Sequence, residues 1–303
     1  MPELPDVTVY RERLEAVTVG RALLQVRLAT PFVLRTVEPA LTAAHGREVR
    51  AVHRIGKRLA LELDGELLLV VHLMIAGRLR WKPVDFTLAG KGTLLCVDFE
   101  HGTLLLTEAA SKKRASLHVV QGRAALAAFD RGGIDVHASD AAAFAAALQR
   151  DNRTLKRALT DPTVLDGIGN AYSDEILHRA RLSPVARTRG LDDDALRRLH
   201  AACRDTLTLW TERLRAEVGQ GFPDKVTAFR PGMAVHGRYR EPCPDCGAPV
   251  QRIRYADNEC NYCARCQCGG RVLADRGLST LLKGDWPRTL AELEELRRPD
   301  PSA

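Results

Sequence analysis

Two C-x2-C pairs, Cys243-Pro-Asp-Cys246 and Cys263-Ala-Arg-Cys266, stand sixteen residues apart late in the chain. No other feature restricts the fold as strongly. Each pair can turn two thiolates toward one tetrahedral ion, and the stretch between them is long enough for a hairpin that brings the pairs together. A closed four-thiolate site leaves no position for chemistry. We therefore expect one structural Zn2+ on Cys243, Cys246, Cys263 and Cys266. A disulfide framework is the competing use of clustered cysteines. It fits poorly, because the chain opens with Glu3 and Asp6 and shows no basic-then-apolar leader. We expect a soluble intracellular protein. Cys260 and Cys268 read as bystanders or as exchangeable ligands, and Cys96 and Cys203, in apolar contexts, as small core residues.

Upstream, the texture divides the chain. Residues from Pro5 to about Val17 read as a helix. Short β-like runs follow: ALLQVRLA from 22, REVRAVHR from 47, KRLALELD from 57, ELLLVVHLM from 66, TLLCVDFE from 93, TLLLTEA from 103 and ASLHVV from 115. Their spacing and alternation point to an all-β sandwich or barrel. Beyond about residue 139 the runs DAAAFAAALQRD, NRTLKRALTD, GNAYSDEILHRARL and LDDDALRRLHAACRDTLTLWTERLRAEVG read as helices. A connector, GFPDKVTAFRPGM, leads to the cysteine hairpin, and the tail carries one helical stretch near WPRTLAELEELRR. The net charge is +7, which favours polyanionic partners, and no apolar run is long enough to span a bilayer.

Two stretches bear on chemistry. In LDGIGNAYSDEIL, Gly167 and Gly169 permit a tight turn and Asn170 can cap the helix that follows. Such a turn is either a plain interhelical connection or an anion site at a helix N-terminus, where a DNA phosphate fits. At the start, removal of Met1 would leave Pro2 with a secondary amine. An uncharged amine is a nucleophile, and α-amino groups titrate near neutrality. Attack on C1′ of a deoxyribose gives an iminium ion that cannot be neutralised at nitrogen, so it withdraws electrons and permits β-elimination of the 3′ phosphate. Glu3 stands beside it as a proton donor. By itself an opening MPE carries little meaning.

MPELPDV at the start, GKRLALEL, HLMIAGRL, GIGNAYSDEIL and the CxxC-x16-CxxCQ hairpin occur together and in this order. The combination resembles the bacterial formamidopyrimidine-DNA glycosylase family (Fpg/Nei) over roughly residues 2 to 267. The resemblance implies a multidomain α+β protein. A β-sandwich with a leading helix would span 1–135, a helix-two-turns-helix domain 136–223, and a connector with the zinc-finger hairpin 224–270. The extension 271–303 runs past the family's usual end, with no role assigned. It further implies a bifunctional DNA glycosylase and AP lyase of base excision repair. Such an enzyme acts as a monomer on damaged double-stranded DNA in the bacterial cytoplasm, and not at a membrane. Pro2 would be the Schiff-base nucleophile, Glu3 the proton donor, and Lys57 and Asn170, with Gly169 nearby, phosphate ligands. His72 would buttress the DNA-facing loop or serve as a core histidine, and Glu175 would be structural.

The chain departs from the pattern in several places. Asp6 replaces the family's usual Glu, and Met74 precedes Ile75 where many members carry Met, either side chain serving as an apolar wedge. The segment in which the family places an Arg and a Phe to read the orphaned base is TEAASKKRASLHVV here, with no Phe. Lys112, Lys113 or Arg114 stand in electrostatically or form a solvated basic loop. Asn258 occupies the position of the finger arginine, with Arg252 and Arg254 close by. Leu4 matches the formamidopyrimidine branch. The lesion is left open: 8-oxoguanine, an oxidised pyrimidine, a ring-opened purine or a bulkier adduct. A non-catalytic damaged-DNA-binding protein is the competing reading.

Overall fold

The computed structural model describes residues 1–224, 226–255, 258–275 and 283–295, and the chain folds into two compact units. The first comprises Met1–Gly132 and Leu207–Ala228. Its leading helix α1 (Leu4–Thr18) turns Val7, Tyr10 and Leu14 fully inward. Two antiparallel sheets follow. One holds β1 (Ala22–Leu23), β3 (Arg47–Ile55), β4 (Arg58–Leu63), β5 (Leu67–His72) and β9 (Ser116–Gln121), in the order β1-β3-β4-β5-β9. The other holds β2 (Gln25–Leu28), β6 (Gly77–Lys82), β7 (Thr93–Phe99) and β8 (Gly102–Glu108), in the order β2-β7-β8-β6.

The period of two decides which side chains meet. Leu59, Leu61 and Leu63 of β4 enter one core with Leu95 and Val97 of β7, Leu104 and Leu106 of β8, and α1. Ala60, Leu68 and Val70 face the other way, where Leu126 and Phe129 pack against them. Burial on both faces explains why ELLLVVHLM reads as an unbroken apolar run. Every β-like run named above lies on strand, but ALLQVRLA is split at Leu24 into β1 and β2, which join different sheets. Strand β6, GRLRWK, escaped the sequence reading because only Leu79 and Trp81, the residues that face the core, are apolar in it.

The second unit comprises Gly133–Thr206 and Phe229–Ala303. Helices α2 (Ala141–Gln149), α3 (Leu155–Thr160), α4 (Asn170–Arg179) and the first part of α5 (Asp193–Val218) precede a hairpin of β10 (Val250–Arg254) and β11 (Glu259–Cys263). The short α6 (Ala264–Cys268) and α7 (Leu290–Glu295) complete it. The described part of the extension lies on the hairpin. Val272, Leu273 and Leu290 are buried in one cluster with Val250, Ile253 and Tyr262. The Leu273 N–H donates to the Tyr262 hydroxyl at 2.7 Å, and the Arg254 N–H to Asp275 Oδ2 at 2.6 Å.

Candidate active site and metal centre

Pro5, within the first helical turn, lacks an N–H that would go unsatisfied there. Glu3 is the N-cap, and its N–H donates to Asp6 Oδ2 at 2.9 Å. The Glu3 side chain accepts from the Asp6 backbone in return, so the shorter aspartate closes a reciprocal capping box. Pro2, Glu3 and Asp6 are all buried. Burial holds the Met1 α-amino group below its usual value of 8.0. Arg78 and Lys57 push in the same direction, and Glu3 and Asp6 oppose them. Four charged side chains therefore act on the N-terminal amine. Lys57 occupies the β3–β4 turn, where Gly56 takes φ +60°. Arg78, which the sequence reading did not single out, is the second residue of β6 and donates from Nε to the Val226 carbonyl at 2.5 Å.

The β5–β6 loop lies at the same end of the sheet. The Gly77 N–H closes it on the Leu73 carbonyl at 2.9 Å, and a Cβ on Gly77 would stand 2.2 Å from that oxygen. Met74 takes φ +53°, an uncommon conformation for a side-chain-bearing residue. It is half-buried, whereas Ile75 is 55% exposed. Burial lowers His72 to about 4, with Arg58 and Lys57 reinforcing it, so the ring is neutral near neutral pH. His72 pairs with Arg58 on one side and Ser116 on the other. The β8–β9 loop therefore arrives beside it. Buried Glu108 fixes that loop, Oε2 accepting from the Arg114 N–H at 2.8 Å and the Ala115 N–H at 3.0 Å. Lys113 donates to the Glu108 carbonyl, while Lys112 and Arg114 hold exposed side chains.

In the second unit the glycine turn departs from expectation. Gly169, in extended conformation, is the N-cap of α4, and Asn170 is its first helical residue, so Asn170 caps nothing. Its Nδ2 instead donates to the Glu259 carbonyl of β11 at 2.9 Å. Its carbonyl accepts from Lys156 Nζ at 2.7 Å. The same ammonium donates to Ser173 Oγ at 2.8 Å and to Asp174 Oδ1 at 2.6 Å. Asp174 is fully buried, and its Oδ2 takes the Asn261 N–H at 3.1 Å and lies 2.7 Å from His236 Nδ1. Glu175 accepts the N–H groups of Ala234, Val235 and His236, the structural part expected of it. Lys156, Asp174 and His236 were missed. Their partners lie far apart in sequence, and the local signal is only a lysine and an aspartate among apolar helix positions.

The four ligand sulfurs lie within 4.8 Å of one another, Cys243 to Cys266 at 3.9 Å and Cys246 to Cys263 at 3.4 Å. A tetrahedral tetrathiolate with metal–sulfur bonds of about 2.3 Å needs sulfurs roughly 3.8 Å apart. The residues present fit such an ion. The Cys266 N–H points at Cys263 Sγ at 3.4 Å, and His178 Nε2 lies 3.2 Å from Cys243 Sγ. Cys260 and Cys268 stand outside the cluster. On the hairpin, Arg252 stacks over Tyr239 at 4.2 Å and pairs with Glu259 at 3.2 Å. Arg254 and Asn258 are exposed near its tip.

Two family models match the sequence that builds these units. The formamidopyrimidine-DNA glycosylase N-terminal domain matches residues 1–123, and the H2TH domain of the same enzyme matches residues 134–216. The formamidopyrimidine-DNA glycosylase of Thermus thermophilus is 33% identical over 280 residues, covering 89% of this chain and all of the relative. The chain belongs to the formamidopyrimidine-DNA glycosylase family. A glycosylase-like protein of Mycobacterium tuberculosis is 42% identical over 150 residues, covering 50% of this chain and 91% of the relative. The fold matches that of the Lactococcus lactis enzyme solved with DNA containing an abasic site, at TM-score 0.77 and 24% identity, covering 88% and 99% of the two chains.

The protein is thus a DNA glycosylase of DNA repair. In this glycosylase, Glu3 and Lys57 both act on the N-terminal amine, with Asp6 and Arg78 beside them. Met74, Ile75, Lys112 and Arg114 belong to loops at one end of the five-stranded sheet. Gly169, Asn170, Arg252, Arg254 and the four cysteines belong to the second unit.

Proposed function

We propose that the protein is a bifunctional DNA glycosylase and AP lyase that works through Pro2. The observation carrying this reading is the buried Pro2–Glu3 start of α1, with Asp6, Lys57 and Arg78 near enough to act on the Met1 α-amino group that precedes it. Removal of Met1 would turn the Pro2 nitrogen from an amide into a secondary amine in that buried setting, and its uncharged form is a nucleophile. Once Met1 is removed, the Pro2 nitrogen attacks C1′. A carbon–nitrogen bond forms, and the damaged base leaves with its bonding electron pair and takes up a proton. The Pro2 nitrogen then gives up its proton and Glu3 delivers one to the sugar ring oxygen, so that the C1′–O4′ bond breaks and a carbon–nitrogen double bond forms. The cation at the Pro2 nitrogen then acidifies C2′. Loss of that proton expels the 3′ phosphate, and a second elimination releases the 5′ phosphate.

DNA containing an abasic site is what the Lactococcus relative holds, and damaged double-stranded DNA is the substrate class proposed for this chain. Lys57 and the first turn of α4 would take phosphates, with Arg252 and Arg254 on the hairpin as further contacts. One structural zinc would close the four-thiolate site, and the enzyme would act as a monomer in the bacterial cytoplasm. The target nucleotide must leave the stack, because its glycosidic carbon is otherwise out of reach.

Borohydride trapping tests this reading on duplexes bearing an abasic site, 8-oxoguanine or an oxidised pyrimidine. Zinc-loaded protein beginning at Pro2 should form a covalent adduct with the abasic duplex. Protein with a residue retained before Pro2, whose nitrogen is then an amide, should form none. Adducts on intact lesions would name the base removed. Selective binding with no adduct on any duplex would instead identify a damage-binding protein without lyase chemistry.

A further inference from the structure

Extrusion of a nucleotide leaves a gap in the duplex and an unpaired base opposite it. A protein that holds this state needs apolar or aromatic groups to occupy the gap and stack on what remains. Ile75 is one exposed apolar group at the relevant end of the first unit. The β8–β9 loop beside it offers Lys112, Lys113 and Arg114, and no ring.

A ring stands elsewhere on that rim. Residues 29–36 cross from one sheet to the other. The Ala29 N–H donates to the Leu94 carbonyl of β7 at 2.9 Å. The Arg35 N–H donates to the Leu117 carbonyl of β9 at 2.9 Å, and the Val119 N–H to Thr36 Oγ at 2.8 Å. Leu34 pairs with Leu117 in parallel, so the residues before it lie toward the start of β9, where the Lys112–Arg114 loop arrives. His72 pairs with Ser116 across β5 and β9, and Arg58 with His72 across β4 and β5, which brings Lys57 and the Met74–Ile75 loop to this end too.

Within the crossing, Pro31–Val33 forms one 3-10 turn, closed by the Leu34 N–H on the Pro31 carbonyl at 3.1 Å. Val33 is 2% exposed and belongs to the core, and Leu34 packs against it. Anchoring Val33 inward turns its neighbour outward: Phe32 is 79% exposed. Scattered exposed apolar residues are ordinary on protein surfaces. Phe32 differs in being a large ring on a backbone tied to both sheets, at the end where Lys57 and Ile75 also lie.

We propose that Phe32 is a DNA-inserting residue that stacks on the base left unpaired when the damaged nucleotide is extruded. The inference rests on the reading of the protein as a nucleotide-extruding glycosylase. It places the aromatic function on the β2–β3 crossing, while the β8–β9 loop supplies charge. Base–aromatic stacking is sequence-tolerant, because every base has a π-face.

The test uses full-length, zinc-loaded protein and a duplex carrying a tetrahydrofuran abasic analogue opposite 2-aminopurine. Wild-type protein should change the 2-aminopurine emission on binding. Phe32→Ala should abolish that change and weaken the Kd about 5- to 100-fold, the range for loss of one base–aromatic stack. Its thermal midpoint should stay at the wild-type value, because the ring is exposed. Phe32→Trp should restore affinity, and its added emission should be quenched by the duplex. A Phe32→Ala Kd within twofold of wild type, or Phe32→Trp emission indifferent to saturating DNA, would overturn the inference. A changed sedimentation coefficient with unchanged DNA binding would overturn it too, assigning Phe32 to self-association. If wild-type protein binds the abasic duplex but forms no borohydride adduct, the lyase reading fails while the Phe32 result stands. If it does not prefer abasic DNA at all, both fall.

Discussion

Replacing Asp174 by Asn should destabilise the second unit strongly. The Asp174 carboxylate is fully buried and takes contacts from Lys156, His236 and the Asn261 N–H. Asparagine keeps the shape and removes the charge. Lys156, itself 8% exposed, is then left as a buried cation facing a neutral amide. Breaking one side of a buried, hydrogen-bonded pair costs about 3–5 kcal/mol. For a unit of this size each kcal/mol moves the midpoint by about 2–4 °C, so a fall of about 10 °C is expected. The assay is calorimetry on zinc-loaded protein, with Asp174→Leu, Lys156→Met and the Asp174→Leu/Lys156→Met pair forming a cycle. Apolar replacement of both partners leaves no buried charge, so the double variant should lose less than the two single losses together, by about 1 kcal/mol or more. Lys156 also holds the Asn170 carbonyl, so Asp174→Asn should loosen the turn that opens α4 and weaken binding to abasic duplex. A midpoint within about 2 °C of wild type, or strict additivity across the cycle, would refute the reasoning.

Other outcomes follow from the same geometry. The rate of adduct formation should rise with pH as the Pro2 secondary amine loses its proton and becomes nucleophilic; a rate indifferent to pH across that titration would contradict an amine nucleophile. Glu3→Gln should slow adduct formation on an intact lesion by about 100-fold or more and spare the abasic substrate comparatively, as expected when a proton donor to the departing step is lost. Metal analysis should find one zinc per chain, lost on Cys246→Ser and kept on Cys260→Ser and Cys268→Ser, while His178→Ala should weaken zinc affinity by about 10- to 100-fold through its contact with Cys243. The depressed His72 makes acid destabilising: stability should fall as pH drops below 6.5 and level off near 4, and His72→Gln should flatten that limb in urea titrations.

The sequence was most legible where neighbours along the chain decide the outcome. The cysteine knuckles bring their own turns, and the short apolar runs of β4 and β5, separated by Asp64-Gly65, have the length and Leu/Val content of strands buried on both faces. Strand β6 was hidden because only Leu79 and Trp81 are apolar in it, too short an alternation to stand out. The Asn170 cap was misjudged for another reason. An Asn before an apolar helix is a good local cap, but its amide finds Glu259, eighty-nine residues away. Lys156, Asp174 and His236 share that character: each is polar in sequence and buried only because another segment supplies its partner. Arg78 sat inside a quoted motif and was passed over, since nothing local shows that β6 begins beside the N-terminal amine.

The packing of residues 271–275 and 283–295 on the hairpin has a thermodynamic corollary. Small metal-bound hairpins usually have too little apolar surface to fold alone, so ion affinity and folding free energy are one quantity. Here Val272, Leu273 and Leu290 give β10 and β11 an apolar floor of their own, and Asp275 ties down the strand that carries Arg252 and Arg254. Part of the hairpin's order is thereby uncoupled from the metal. Losing the ion becomes a local event at the knuckles, and trimming the chain at residue 270 the more damaging injury, because it would open that floor to water beside the arginines.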